Sequence, residues 1–408
     1  MNPNGKMQVG TKAGIDLKIL ITTIVDPKKS AYSRMHAFAK HLGKNHKVII
    51  LSVNDSWKEK QSSAKKYEEE YEKSMAGIET VYITEKKKSV VRQELFSKKF
   101  LKKYLNRQGP FDIILDYNTL SIGRRAQEIL GDTKRIYDLA DDLVDMVKAS
   151  PQLPAFISPF AAGYASGLIN KSIRRAQIVT GTTGALLDRY EVPAEKRYVI
   201  PNGIPNSFLG KLSGHDVIDS RKEPDEFMIG YVGVLRGWVD FEPIFNAMKS
   251  LQSKIQIRLV LIGEEDDEGR VRAQIERAGV TAQVSMLGTV SHDMIRNYLV
   301  ACDCGIVPFV MSSTSDYALP LKVFEYLSAG LPVISTPIKS VKENFSDSVW
   351  FYEDTVQFVK AITDITSNRQ AAKKKVEDGM KKVESEFTWD RIIDRLEKLI
   401  VDLAGQDQ

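Results

Sequence analysis

The chain has 408 residues, more than one hydrophobic core ordinarily organises and enough for two domains of roughly 150–200 residues. With 43% apolar and 27% charged residues, its composition excludes a disordered or fibrous chain. The formal net charge of +5 hides an asymmetry: residues 1–200 carry 34 Lys and Arg against 22 Asp and Glu, and the remainder 24 against 31. The basic half is expected to meet something anionic. No recognition motif for nucleic acid accompanies the charge, so an anionic membrane surface is the better candidate.

In chain order, the first fourteen residues lack the apolar core of a signal peptide, and no run of about 20 apolar residues predicts a membrane span. Short apolar runs then alternate with amphipathic segments, the pattern of doubly wound α/β sheets. Strands are predicted at 17–24, 47–53, 78–83, 112–115, 135–139, 178–180 and 197–200. Helices are predicted at 31–42 and 90–105, with a charged helix or lid at 58–73. Segment 90–105 sets an apolar stripe (Val90, Val91, Leu95, Phe96, Phe100, Leu101) among Arg92, Lys98, Lys99, Lys102 and Lys103, just after Lys86–Lys88. It reads either as an interfacial helix or as a helix docked on its own domain. Residues 149–170 contain no charge but are broken by Pro151, Pro154 and Pro159, which suits a buried or membrane-touching loop and helix.

The turn-rich Pro201-Asn-Gly-Ile-Pro205 marks a hinge, and a polar patch at 211–226 leads into a second α/β series. Strands are predicted at 227–232, 258–262, 284–287, 305–307 and 333–335, with helices at 239–251, 270–278, around 324–328 and at 388–403. The two cysteines, Cys302 and Cys304, flank a single residue. That is a poor disulfide framework and a poor metal site, so both are expected buried and reduced in a cytoplasmic compartment.

Ligands of open α/β sheets bind beyond the carboxyl ends of strands, which directs attention to two segments. In Gly230-Tyr-Val-Gly233-Val-Leu-Arg236-Gly-Trp238 a strand ends at glycines before a helix, and Arg236 adds a forked donor for phosphate oxygens. In Asp316-Tyr-Ala-Leu-Pro320-Leu-Lys322-Val-Phe-Glu325-Tyr326, Pro320 suits a first helical turn and Lys322 shares a helix face with Glu325. A lysine near a helix N-terminus opposes the dipole, a placement that makes sense beside an anion; a surface ion pair is the plain alternative. Glu325 has the geometry to accept from two vicinal hydroxyls.

Leu259-Val-Leu-Ile-Gly263, Met286-Leu-Gly288, the Ala301–Pro308 block and Pro320–Ile334 resemble the donor domain of GT-B glycosyltransferases, most of all the family-4 (group 1) enzymes of bacteria and archaea. The resemblance covers about 201–345 well and the first half weakly, through Ile200–Ile204 and Arg135–Asp141, and Phe387-Thr-Trp389 is similar to the family's closing helix. It implies two Rossmann-like domains facing across a cleft: residues 1–200 for the acceptor, 201–386 for the nucleotide-sugar donor, and 387–408 crossing back.

The resemblance further implies that Gly233, Arg236 and Lys322 hold the donor diphosphate and that Glu325 binds its ribose. Trp238, Asp316, Tyr317, Leu319 and Pro320 would lie near the sugar or base. No metal is expected, because two cations and helix N-termini can take up the charge of the leaving diphosphate. Tyr317 stands where many relatives carry a sugar-contacting Glu, and Ala140 where many carry a His. Asp138 and Asp142 are therefore the candidates for an acceptor-side base, an N-cap role being the alternative. In the first βα turn, Asp26–Arg34 replaces the Gly-Gly loop of relatives. The expected activity is transfer of a sugar from a nucleoside diphosphate to a hydroxyl of a lipid-linked acceptor or growing glycan, in the cytoplasm and peripherally at an anionic membrane, with no nucleic acid involved. A sugar-nucleotide epimerase and a non-catalytic nucleotide-sugar-binding protein are the alternatives.

Overall fold

The computed structural model describes residues 16–30, 32–55, 64–84, 89–148, 154, 156–209, 226–265, 269–290 and 292–407. Lys86–Lys88, Pro151 and most of the 211–226 patch lie outside the described residues. The chain divides into two units. One comprises residues up to 181, 190–198 and 393 onward; the other comprises 182–189 and 199–392.

The first unit holds strands β1 (Lys18–Thr23), β2 (Lys47–Ser52), β3 (Glu79–Tyr82), β4 (Ile113–Tyr117), β5 (Lys134–Leu139), β6 (Ile178–Gly181) and the start of β7 (Arg197–Val199). They form one sheet in the order β3-β2-β1-β4-β5-β6-β7. The pairs from β3 to β6 are parallel, with Ile19 of β1 level with Val48 of β2 and Ile113 of β4. Parallel strands are covered on both faces, which is why β1, β2 and β4 read as near-continuous apolar runs. The covering helices are α1 (Arg34–Leu42), α2 (Ala64–Ser74), α3 (Val90–Phe96), α4 (Lys98–Gln108), α5 (Ile122–Leu130), α6 (Leu143–Lys148) and α7 (Ser158–Arg175).

The single helix expected over 90–105 is pinched at Ser97. There the Ser97 hydroxyl donates to the Glu94 carbonyl, and Arg125 of α5 donates to the same carbonyl and to the Ser97 hydroxyl. On α4, Leu101 and Leu105 are buried with Leu20, Leu51 and Ile114, so the basic amphipathic helix is docked on its own unit.

The second unit has strands β8 (Glu226–Val232), β9 (Gln256–Ile262), β10 (Val284–Gly288), β11 (Cys304–Val307), β12 (Val333–Ser335) and β13 (Trp350–Phe351), in the order β10-β9-β8-β11-β12-β13, all parallel. Its helices are α8 (Gly184–Arg189), α9 (Glu242–Leu251), α10 (Arg270–Ala278), α11 (His292–Val300), α12 (Ser313–Tyr317), α13 (Leu321–Ser328), α14 (Lys339–Phe345), α15 (Thr355–Ser367) and α16 (Arg369–Glu386); α17 (Trp389–Ala404) starts in this unit and ends in the first. Two apolar clusters pack against the sheet, one around Ile229, Tyr231 and Leu259, the other around Val232, Phe324 and Tyr326. Cys302 and Cys304 are buried free thiols, and burial drives the Cys304 thiol well above its ordinary pKa.

Helix α9 starts three residues later than its apolar pattern suggests. Val239 pairs with Phe309 in an antiparallel bridge, and Asp240 N–H donates to the Pro308 carbonyl at 2.8 Å. Those residues are tied to the loop after β11 before the helix can begin.

Candidate functional site

The order of the second sheet reverses between β8 and β11, and α13 starts beside this switch point. The Tyr326 hydroxyl accepts the Val232 N–H at 2.9 Å, fastening α13 to the last residue of β8. The next residue, Gly233, has φ +134°, and its N–H donates to the Ile262 carbonyl at 2.8 Å. A Cβ there would lie 2.6 Å from the Lys322 ammonium, so the missing side chain is what lets that ammonium lie across the turn. Gly263, at φ +145°, closes the same turn from β9: a Cβ on it would meet the Gly233 carbonyl oxygen at 2.2 Å. Two turns thus touch backbone to backbone beneath one lysine.

Lys322 lies over the rings of Tyr231 and Phe309, its ammonium 5.3 and 5.5 Å from their centroids. Burial pushes its pKa below the ordinary lysine value; Glu325, one turn along α13, pulls it back up, and Arg236 pushes it further down. A cation held in this way is disfavoured until an anion arrives, which is the electrostatic form of a phosphate site. Arg236 stacks on half-exposed Trp238, its guanidinium 4.8 Å from the ring, and its carbonyl accepts from Arg270 at 2.7 Å. Arg236 and Lys322 are therefore electrostatically coupled members of one cationic site, with half-buried Glu325 beside it.

Pro320 is the N-cap residue rather than part of the first turn: at φ −65° and ψ 124° it is extended, and the helix starts at Leu321. Leu319 is buried. The Asp316 carboxylate accepts the Lys339 N–H at 3.4 Å, at the start of α14. The Tyr317 carbonyl accepts the Thr183 hydroxyl at 2.9 Å, and the Ala318 carbonyl accepts the Ser340 hydroxyl. Main-chain bonds thus hold this segment against α8 and α14 and leave the half-buried Tyr317 ring unconstrained by them.

In the first unit, the acidic end of β5 has an internal order invisible in the sequence. Asp138 is fully buried, and its two oxygens receive Arg34 Nε at 2.8 Å and Nη2 at 2.7 Å, together with the Thr180 hydroxyl. One oxygen of Asp142 accepts from the Val144 and Asp145 N–H groups, both at 3.1 Å, and from the Tyr190 hydroxyl at 2.6 Å. It caps α6. Both carboxylates proposed from sequence as bases are thus engaged in holding the strand end together.

Asn118, which the sequence reading passes over, bridges the run. It takes the left-handed conformation at φ 55°, its side chain donates to Asp141 at 3.2 Å, and its side-chain oxygen accepts the Ala140 N–H at 3.2 Å. A non-glycine residue in that region after a strand is a strained position of the kind found at functional sites. Asp141 is the exposed carboxylate of the group. Dense surrounding protein raises its pKa and Asp138 adds to this, whereas Arg34 and the Asn118 hydrogen bond oppose it. Its solvent access tempers the desolvation part.

The first βα turn braces itself. Asp26 accepts from the Lys28 N–H, the Asp55 N–H and the Tyr82 hydroxyl. The Ser33 N–H donates to His36 Nδ1 at 3.1 Å, which puts the ring proton on Nε2, where it donates to the Pro27 carbonyl at 2.8 Å. His36 is a neutral brace of the turn. Among the described residues, no group of three or more His, Cys, Asp or Glu side chains is arranged to hold a metal ion.

Residues 216–382 match the sequence model of the family Glycosyl transferases group 1. Over 173 residues the chain is 24% identical to TuaH of Bacillus subtilis (strain 168), a protein assigned to teichuronic acid biosynthesis as a glycosyltransferase. That alignment covers 41% of this chain and 42% of the relative. Anabaena HepE, solved in complex with UDP, shares the fold with a TM-score of 0.71 at 17% identity, over 95% of this chain and 100% of that one. Sucrose-phosphate synthase from Thermosynechococcus elongatus gives 0.70 at 15% identity, over 94% and 98%. The two parallel sheets with their flanking helices have the GT-B architecture, and the match to glycosyl transferases group 1 falls on the second unit of this chain.

Proposed function

We propose that this chain is a glycosyltransferase that moves a sugar from a nucleoside diphosphate to a hydroxyl acceptor, either lipid-linked or on a growing glycan, at an anionic membrane surface. The observation that carries the reading is the desolvated Lys322 ammonium lying across Gly233 and coupled to Arg236. In the reaction a bond forms between the acceptor oxygen and the anomeric carbon. The bond from that carbon to the diphosphate oxygen breaks, and its electron pair leaves with the diphosphate. Lys322 and Arg236 then face more negative charge than in the bound donor, which makes their contribution catalytic and not merely binding. Two such cations give the leaving group its compensation without calling on a metal, and Glu325 would take the ribose hydroxyls.

On the acceptor side, Arg34, Asp138 and Asp142 act as positioning groups. Asp141, with its raised pKa, is the carboxylate best suited to accept the acceptor's proton. Assignment of TuaH to teichuronic acid synthesis supports a polysaccharide acceptor, and the HepE complexes with UDP and UDP-glucose make uridine donors the first to try.

A thermal-shift panel of UDP-, GDP-, ADP- and CMP-sugars tests the reading. A ligand at a hundredfold excess over its Kd should stabilise the protein by about 2.7 kcal/mol. One nucleotide class should do so in the parent and fail with Glu325→Ala. A panel without any shift, with or without added magnesium, would overturn the assignment of the donor site.

A further inference from the structure

Helix α7 presents one face that its own unit leaves uncovered. Ala162, Ala165, Leu168, Ile169, Ser172 and Ile173 are buried beneath it. At 100° per residue, Phe160, Tyr164, Lys171 and Arg174 fall within about 40° of one line on the opposite side, and Phe156 lies in the turn just before the helix. The aromatic residues are 75%, 81% and 59% exposed, and Met146 on the packed neighbour α6 is 55% exposed. Lys171 and Arg174 are exposed at the other end of the same face, on the order of 16 Å along the helix from Phe160. Single exposed apolar residues are ordinary; two aromatics in register on a helix with a third in the turn before it, on a charge-free stretch that ends in cations, are not.

We propose that this face of α7 seats the protein on an anionic lipid bilayer. Phe156, Phe160 and Tyr164 enter the interfacial layer with Met146 beside them, while Lys171 and Arg174 meet lipid phosphates. The charge pattern selects the occupant. Residues 149–170 bring no carboxylate to oppose a negative surface, and the cations follow where the apolar positions stop. This deepens the membrane part of the proposed function and moves it away from the basic segment that the sequence suggests first, because α4 buries Leu101 and Leu105 in the core and only Phe96, at the end of α3, is left largely exposed from that stripe. No described helix is long and apolar enough to cross a membrane, so the contact is one of lying on the surface.

Flotation of the full chain with phosphatidylcholine vesicles, with and without phosphatidylglycerol, tests this. The parent should float with the anionic vesicles and less well at high salt. The double variant Phe156→Ser with Phe160→Ser should lose about tenfold or more in partitioning. Lys171→Glu with Arg174→Glu should lose the preference for anionic vesicles. Each variant should keep the parent's nucleotide-induced thermal shift, which shows that it is folded. The proposal is overturned if the parent stays with the unbound fraction or if the Phe variant floats as well as the parent. It is equally overturned if light scattering finds a parent dimer that the Phe variant turns into a monomer, which would give the face to a second copy of the chain. Vesicle binding without any nucleotide shift would sink the donor-site reading and leave this one standing.

Discussion

Replacing Lys322 with Met separates a ligand cation from a structural one. The two ring contacts at 5.3 and 5.5 Å contribute about 0.5–2 kcal/mol each, and a thioether recovers part of that by packing on the same rings. Against this stands desolvation of the ammonium, the largest influence on its pKa. Because the folded-state pKa lies below the unfolded value, the unfolded chain binds more protons in the alkaline window beneath 10.5, and stability rises with pH there. At neutral pH the charged lysine is therefore a cost to the fold. The variant's ligand-free Tm should be equal to or above the parent's. Nucleotide binding behaves oppositely: a charge-assisted hydrogen bond to phosphate is worth about 1.5–3 kcal/mol, so its loss should raise Kd by about 10- to 150-fold. In the parent, affinity should fall as pH rises through the depressed lysine pKa. Calorimetric titration of both proteins with the nucleotide identified by the thermal panel decides the matter. A Kd within a few-fold of the parent, or a Tm several degrees lower without ligand, would refute the reasoning.

Other substitutions probe the frame around this lysine and the first unit. Gly233→Ala should displace the ammonium and force a side chain to φ +134°, costing about 1–3 kcal/mol of stability and most nucleotide affinity by the same titration. Gly263→Ala places its methyl against backbone that cannot swing away, so denaturant unfolding should show a loss of about 3 kcal/mol. Arg34→Ala leaves the buried Asp138 uncompensated and should destabilise by about 3–5 kcal/mol in urea titration, a loss that Asp138→Asn in the same chain partly restores. Glu94 lies buried against the Ser121 and Ile122 N–H groups, and desolvation pushes its pKa from 4.5 up to about 7. The folded state keeps that proton in a window where the unfolded chain has lost it. Stability should therefore fall by up to about 3 kcal/mol as pH rises from about 4.5 to about 7, and Glu94→Gln should flatten the profile.

Where a segment's environment was uniform, its sequence was enough. The inner strands of both sheets are buried on two faces, so their apolar runs mark them to within a residue or two, as at Lys47–Ser52 and Val333–Ser335, whereas the half-buried two-residue edge strand Trp350–Phe351 has no such run and is not legible. The three-residue spacing of Lys322 and Glu325 already places them on one helix face, and the glycines of the β8 turn are readable because the backbone conformation there requires them. Helix ends were less legible, because their limits are set by distant partners: Phe309 delays α9, and Arg125 pinches the helix at Ser97.

The acidic run at the end of β5 shows the limit most clearly. Composition alone leaves Asp138, Asp141 and Asp142 equivalent. Asp138 is bound by Arg34, 104 residues earlier, and Asp142 by Tyr190, 48 residues later, so two of the three become braces and the third stays open to solvent. The α6–α7 region is similar. The lack of charge over 149–170 is plain in the sequence, but which residues of α7 go inward and which remain outside depended on how the helix packed. Local pattern determined the architecture and the cationic site, because strand burial and helix spacing are properties of neighbours along the chain. Tertiary structure decided which polar groups are committed and which are available, because hydrogen-bond partners and solvent access come from residues far away in sequence.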